Sequence, residues 1–455
     1  MSDVATPAAA PAAGSLWTTQ RRPLTSGLVL TTTLIAAEAL AVITIMPQVE
    51  RDLGGLSLYG WVFSAFMLGS LLGTVAAGRE ADRAGPARPY AVGLVLFAAG
   101  LAIGGAAPSM PVLVIGRLLQ GVGAGAVPAV AYVAIGEIFE AGARPRMLAL
   151  LSAAWVVPGL IGPALSAAVA HAFGWRVVFL GLIPLVALAG GLALPALVRL
   201  GRPPAERTAE HRLRDAALTA AGAALVLEAL AAGNVVLGLV LLSLGAMVGV
   251  PALRRLLPAG TLSARRGLPA TILSRGLLTF TFFGADAFVT LAITSGLHRS
   301  TVLASAVITV STLAWSAAAW MQARLSASWP ERRLIGLGVV LVLVGIGGMV
   351  LALRTGVAVA ATTLVAWTIA GAGMGLAYAP TSLLMMHQAP GGRTGWASAS
   401  LNIADVLGTA LGAGLGGGAL VLASDSRWSL STGVTIAFCV AAAGALAGLA
   451  VARRL

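Results

Sequence analysis

The chain has 455 residues, 58% of them hydrophobic and 10% charged, with a mean hydropathy of +0.94 and a net charge of +13. Soluble domains carry about a quarter charged residues, so a soluble enzyme reading starts far behind. The positive charge reads as loop arginine flanking membrane segments, with no need for a nucleic-acid partner.

All 29 basic residues are arginine, which fits the codon usage of a GC-rich bacterial genome. Cys439 is single, and His171, His211, His298 and His387 are scattered. Disulfides, cysteine metal sites and a zinc centre therefore have no basis.

In chain order, an Ala/Pro-rich tail over 1–24 reads as disordered and cytoplasmic. The first apolar run is too long for a signal peptide and is expected to remain as a helix. The runs predict an all-α integral membrane protein with fourteen transmembrane helices. They lie near 25–47, 57–78, 89–107, 110–138, 147–170, 176–199, 215–233, 235–253, 270–293, 301–323, 334–353, 357–386, 396–423 and 429–451. The first six form an N-terminal bundle (25–199). A polar cytoplasmic linker (200–214) leads to an inserted hairpin (215–253), and a C-terminal six-helix bundle (254–455) completes the chain. Arginines crowd alternate loops, among them Arg79, Arg83, Arg88, Arg144, Arg146, Arg332 and Arg333. The other loops hold few, such as Arg51, Arg299 and Arg354. The positive-inside rule then places both termini in the cytoplasm.

The two bundles repeat each other. Asp286 follows Glu38 by 248 residues (286 − 38), and both acids stand in otherwise apolar runs. Gly121-Val-Gly123-Ala-Gly125 matches Gly371-Ala-Gly373-Met-Gly375 at an offset of 250 (371 − 121). Gly162-Pro163-Ala-Leu matches Gly408-Thr-Ala-Leu at 246 (408 − 162). Three matches in one order at a near-constant offset indicate pseudo-symmetric halves.

The loop Gly78-Arg79-Glu80-Ala81-Asp82-Arg83-Ala84-Gly85 combines a glycine suited to close helix approach, an acid suited to a helix N-terminus and a turn glycine. It resembles the loop signature between helices two and three of the major facilitator superfamily. That resemblance implies a conformational latch at Gly78, Asp82, Arg83 and Gly85, although Pro86 and Ala87 replace the family's usual basic residues. A topology-setting basic loop is the alternative. Trp61-Val-Phe-Ser-Ala-Phe-Met-Leu resembles a pattern of the family's fourteen-helix drug exporters, and Trp61 also suits an interfacial belt. Arg117-Leu-Leu-Gln120-Gly121 resembles the family element in which an intramembrane arginine tunes a nearby acid; snorkelling is the alternative. Pro158-Gly159-Leu-Ile-Gly162-Pro163 resembles the element of the superfamily's antiporters, where a kinked helix serves as hinge or seal. Gly174-Trp175-Arg176 is similar to the family as well.

A carboxylate within the membrane costs about 2.5–3.5 kcal/mol on insertion scales, so Glu38, Asp286 and Asp405 are candidate proton-coupling acids, with Arg117 as their partner. Glu38 is expected to carry the proton and Asp286 to face it across a central cavity. Static pairing with Arg117 or with backbone is the alternative. Glu228, in the extra hairpin, is a weaker candidate. Tyr132, Trp155, Phe283, Trp367 and Met374 are candidates to shape a greasy, adaptable substrate cavity.

No phosphate-binding Gly-Lys-Ser/Thr loop and no nucleophile triad is present, which argues against ATP-driven transport, catalysis or a cofactor. The resemblance implies proton-driven efflux of hydrophobic or cationic drug-like compounds from a bacterial cytoplasmic membrane. The expected partners are small-molecule substrate, protons and the lipid bilayer, and a monomer is expected. A transporter of a defined metabolite, or a non-transporting sensor or lipid-handling protein on the same fold, are the other readings.

Overall fold

The computed structural model describes residues 16–19, 21–140, 143–200, 211–232, 234–326, 328–390, 393–426 and 428–455. The predicted tail over 1–24 and the linker over 200–214 lie mostly outside these.

The N-terminal helices are α1 (Arg22–Leu53), α2 (Tyr59–Ala84), α3 (Ala87–Gly105), α4 (Met110–Ile138), α5 (Arg144–Ala153), α6 (Val156–Phe173), α7 (Trp175–Leu180) and α8 (Ile183–Arg199). The hairpin is α9 (His211–Ala231) and α10 (Val235–Leu256). The C-terminal helices are α11 (Leu268–Leu291), α12 (Thr301–Leu325), α13 (Glu331–Thr355), α14 (Val359–Gln388), α15 (Thr394–Asp425) and α16 (Leu430–Ala452). A π-helical turn, Ala292–Gly296, prolongs α11.

Two predicted spans are each split in two. In the fifth, α5 stops at Ala153 and α6 starts at Val156. Pro158 explains the break: it has no N–H for the Ala154 carbonyl, and its ring would crowd that carbonyl in a continuous helix. Pro184 does the same to Leu180 between α7 and α8. Among the described residues, thirteen helical stretches are long and apolar enough to cross a membrane. The fourteenth segment is α9, which is more polar because it carries Asp215 and Glu228, and which packs along α10. Gly222 and Gly249 bring those two backbones together.

The repeat is visible at atomic scale. A Cβ on Gly121 would lie 2.0 Å from the Phe66 carbonyl oxygen of α2, and one on Gly371 would lie 2.2 Å from the Ser311 oxygen of α12. Gly125 meets Ser70 in the same way, at 2.2 Å, and Gly375 meets Trp315 at 2.3 Å. Each fourth helix thus lies backbone-to-backbone on the second helix of its own repeat, an approach only glycine permits.

The bundles touch through α1 with α11, α2 with α15, and α6 with α12. Ser64 Oγ donates to the Ala410 carbonyl at 2.7 Å. The Tyr59 and Phe288 rings are 5.7 Å apart. A Cβ on Gly60 would lie 2.6 Å from the Ala413 oxygen. These three contacts sit in the half of the molecule that holds the Leu53 end of α1, so that end is closed. Gly60→Leu is expected to destabilise this closure by about 1–3 kcal/mol through overpacking. Electron-spin distances between labels in the loops after α1 and after α11 would lengthen and broaden; unchanged distances would refute the assigned contact.

The hairpin lies against α2 and α15. Leu227 seats on Gly414 and Leu230 on Gly418, while α10 turns Val235, Val236, Leu239 and Met247 outward. Such an apolar outer face belongs in lipid.

Candidate functional site

Among the described residues, three acid centres lie inside the bundles, two of them buried (Glu38 and Asp286) and one half-buried (Asp405). The first joins α1, α2 and α4. Glu38 and Arg117 form an ion pair, with side chains 1% and 3% exposed. Arg117 Nη1 also donates to Gln120 Oε1 at 2.7 Å, and its Nε donates to the Val62 carbonyl at 3.1 Å. Its guanidinium sits 4.3 Å from the Phe66 ring centre. Gln120 stands one turn from Arg117 on α4, and Phe66 one turn from Val62 on α2, so each helix offers one face. The glycine contacts between α2 and α4 press those faces together. Glu38 Oε2 has no hydrogen-bond partner among the described residues.

The second centre joins α11 and α14. Trp367 Nε1 donates to Asp286 Oδ1 at 2.8 Å. Trp367 stands 250 residues after Arg117 (367 − 117), the same offset that relates the glycine motifs. The second repeat has therefore replaced a permanent cation with a neutral donor. Among the described residues, Asp286 makes no ion pair.

The third centre joins α11, α14 and α15. Arg275 Nε lies 3.6 Å from Asp405 Oδ1. Tyr378 donates its hydroxyl to Asp405 Oδ2 at 2.8 Å. Arg275 donates to the Tyr378 carbonyl at 2.5 Å, to Thr381 Oγ1 at 2.6 Å and to Ser382 Oγ at 3.1 Å. Its guanidinium stacks 3.4 Å over the Tyr378 ring centre. In the first repeat the same offsets (275 − 248, 405 − 246) fall on Gly27 and Gly159, which carry no side chain for such a centre.

Arg275 and Asp286 are eleven residues apart on α11 (286 − 275). That is three turns, so they share one side of the helix about 16 Å apart. Aromatic rings fill the interval. Trp315 of α12 contacts Phe282, Phe283 and Tyr378 at centroid distances of 5.5, 6.0 and 5.6 Å, and Phe282 stacks on Trp367 at 5.7 Å. Phe283, Trp315 and Tyr378 are half-buried, whereas Phe282 is buried. An acid with a cationic partner, an acid without one and a partly open aromatic wall thus lie along one side of the second bundle.

Several expectations change. Glu38 and Asp286 do not face each other across the bundle interface. Each points back into its own bundle, because its polar partner is on the fourth helix of its own repeat. Trp367 and Met374 are fully buried in the second bundle, so in this conformation they are packing residues and do not line open space. Trp155 is exposed at the break between α5 and α6, and Phe283 is half-buried. The Tyr132 side chain lies outside the described residues, as does that of Asp82.

In the loop after α2, Gly85 takes a φ of +84° and turns the chain. Arg83 is exposed. Gly78 lies within α2 and has open space around it in this conformation. Gly159 does serve a close approach: its Cβ position is 2.3 Å from Thr312 Cγ2 of α12, across the bundle interface. Gly162 meets only ordinary contacts, and Pro158 and Pro163 are buried in α6. Trp175 donates to Asp52 Oδ2 at 2.8 Å, tying α7 to α1 at the Leu53 end. Glu228 is exposed on the side of α9 away from Leu227 and Leu230.

Arg275, Tyr378 and Trp315 escape the sequence reading. An arginine seven residues into an apolar run was the available signal for the first. The repeat offset applied to Arg117 leads directly to Trp367 as the partner of Asp286.

Residues 28–413 match the model of the Major Facilitator Superfamily. A probable multidrug-efflux transporter of Mycobacterium tuberculosis is 28% identical over 438 residues, with 91% of both chains covered. A multidrug transporter protein of Bacillus subtilis is 33% identical over 178 residues, covering 38% of this chain and 33% of that protein. Among solved structures, a peptide transporter of the POT family has a TM-score of 0.69 at 14% identity, covering 96% of this chain and 98% of its own. The xylose transporter of Escherichia coli, in a partially occluded inward-open form, has a TM-score of 0.63 at 15% identity, covering 93% and 96%. At such identities the structural matches speak for the fold alone.

Proposed function

The chain belongs to the Major Facilitator Superfamily of membrane transporters, and on that premise we propose that it exports hydrophobic or cationic drug-like compounds in exchange for protons, by alternating access. The observation that carries this reading is the unequal treatment of equivalent acids. Glu38 is neutralised by Arg117, which stays charged at any physiological pH. Asp286 has only an indole N–H. A charge at that depth without a countercharge is expensive, and a proton or a substrate cation is what would neutralise it. Competition between those two for one carboxylate is the chemistry of antiport.

In this reading Asp286, and not Glu38, is the principal proton-exchanging acid. Phe283, Trp315 and Tyr378 offer rings to a lipophilic cation approaching between the bundles, and ring faces attract cations. Asp405 supplies a second carboxylate, held in place by Arg275 and Tyr378. The drug-efflux names of the mycobacterial and Bacillus relatives support the substrate class. We place the Arg22 end in the cytoplasm of a bacterial inner membrane, because the loops at that end hold most of the arginines. Proton entry then drives export with about 2.3 kcal/mol per 100 mV for each charge moved.

Reconstitution into liposomes under a pH gradient tests this. Adding ethidium should produce proton movement out of phase with ethidium movement. Ethidium transport that ignores the gradient would sink the coupling, and no ethidium transport alongside uptake of a polar metabolite would sink the substrate class.

A further inference from the structure

We infer that protons reach Asp286 from the Leu291 end of α11 through the hydroxyl groups of Thr290 and Thr294, along a path inside the second bundle. The inference rests on the reading of Asp286 as the proton-exchanging acid, and it names the side chains that serve that acid. Thr290 is fully buried, and its hydroxyl has no hydrogen-bond partner among the described residues. Every other buried threonine among them donates its hydroxyl to a carbonyl oxygen. On α11 itself, Thr279 donates to the Arg275 carbonyl and Thr281 to that of Leu277. Thr290 forgoes the equivalent bond to the Asp286 carbonyl. An unsatisfied buried hydroxyl is costly, so its presence at this position calls for a use.

Thr290 lies four residues beyond Asp286, and Thr294 four beyond Thr290. The three therefore stand on one side of the helix, about 6 Å apart in rise at each step. Thr294 Oγ1 donates to the Thr290 carbonyl at 2.8 Å, which fixes the alignment of the outer pair. Helical side chains lean toward the N-terminus, and this carries the Thr290 hydroxyl back toward the Asp286 carboxyl. Trp367 occupies Asp286 Oδ1 and leaves Oδ2 for a second donor. Outward from Thr290 the burial eases: Thr294, Ser295 and Gly296 are half-buried and His298 is exposed. The backbone changes at the same place. Ala292–Gly296 is a π-helical turn, a rare form frequent at functional sites. The cleft between the bundles is shut at this end by Tyr59 and Phe288, so the hydroxyl path runs beside it. A substrate cation comes along Tyr378, Trp315 and Phe283 from the Arg22 end, and the proton comes from the other end. In each transfer the Thr290 hydroxyl passes its proton to Asp286 Oδ2 and takes one from a water of the outer side, so the threonine is unchanged and the carboxyl is neutral.

Ethidium transport by the full chain in proteoliposomes, under two regimes, provides the test. Efflux driven by a pH gradient needs Asp286 to take up a proton in every cycle, whereas exchange of ethidium for ethidium at equal pH needs none. Thr290→Val keeps the shape of the side chain and should lose most gradient-driven efflux while exchanging at the wild-type rate. Its thermal midpoint should not fall, because no hydrogen bond of the Thr290 hydroxyl is removed. Thr290→Ser should restore efflux. Thr294→Val should show the same split, and it decides the matter if Thr290→Val does not fold. Wild-type efflux in Thr290→Val, or equal loss of efflux and exchange, would overturn the relay. Asp286→Asn keeps the two claims apart. Proton coupling that survives in it removes the premise, whereas wild-type efflux in Thr290→Val beside an uncoupled Asp286→Asn removes the relay alone.

Discussion

Arg117→Ala is expected to destabilise the protein by about 3–5 kcal/mol, the cost of leaving one member of a buried pair uncompensated. The reason lies in the geometry around Glu38. Its carboxylate is 1% exposed and pairs with Arg117, and Glu38 Oε2 has no other partner among the described residues. Without the guanidinium, the acid faces the Phe66 ring and the helix backbones. Glu38→Gln alone leaves Arg117 with the Val62 carbonyl, Gln120 and the Phe66 ring, so its loss should be smaller. The double variant Glu38→Gln/Arg117→Ala should recover much of what the single arginine variant loses, because no buried charge remains. A thermal-unfolding cycle in detergent measures this coupling. Additive losses would mean that Glu38 and Arg117 do not act as a pair.

The second large effect is on activity. Asp286→Asn should abolish substrate-coupled proton movement in proteoliposomes while leaving the protein folded and monodisperse. The amide is nearly the same size and can still accept from Trp367 Nε1, so the 2.8 Å contact survives. What is lost is the carboxyl group that we propose alternates between proton and cation. Trp367→Phe makes the contrasting change: it keeps an aromatic ring beside Phe282 but removes the donor. That should cost about 1.5–3 kcal/mol of stability, the value of a hydrogen bond to a charged group. Coupling should persist in it, because the carboxyl remains. Full proton coupling in Asp286→Asn would overturn the assignment of this acid, whatever Trp367→Phe does.

The two centres answer the same problem differently. A carboxylate on the first helix of each repeat must find a polar partner at membrane depth, and the fourth helix supplies it both times. Arg117 makes the first centre a fixed pair, and Trp367 makes the second a hydrogen bond that leaves the charge open. The third centre is an addition confined to the second repeat. Arg275 stacks on Tyr378 while Tyr378 binds Asp405, so removing any one of the three disturbs the other two.

Much of the architecture was legible in the amino-acid order. Length of apolar run sets the number of crossings. The constant offset between Gly121 and Gly371 announces the repeat, and in the folded chain both glycines meet a second-helix carbonyl. Pro158 marks the place where a span breaks, since a missing N–H is a local property. That Glu38, Asp286 and Asp405 lie inside the membrane also follows from their positions within apolar runs.

The partners of those acids were another matter. Which side of α1 carries Glu38 inward depends on the rotation of that helix, and the rotation is settled by the packing of α1 on α4, α6, α8 and α11 together. In a chain this apolar, polar residues do not mark an outer face, so periodicity assigns no direction to a side chain. Two acids in matching places therefore suggested a pair facing across a cavity. Folding turned each into its own bundle, toward residues 79 and 81 positions away. Local chemistry written along the chain gives helices, breaks and depth. Contact between helices distant in sequence gives Glu38 a cation, Asp286 an indole and Asp405 an arginine, and those partners separate a buried charge pair from an acid with no countercharge among the described residues.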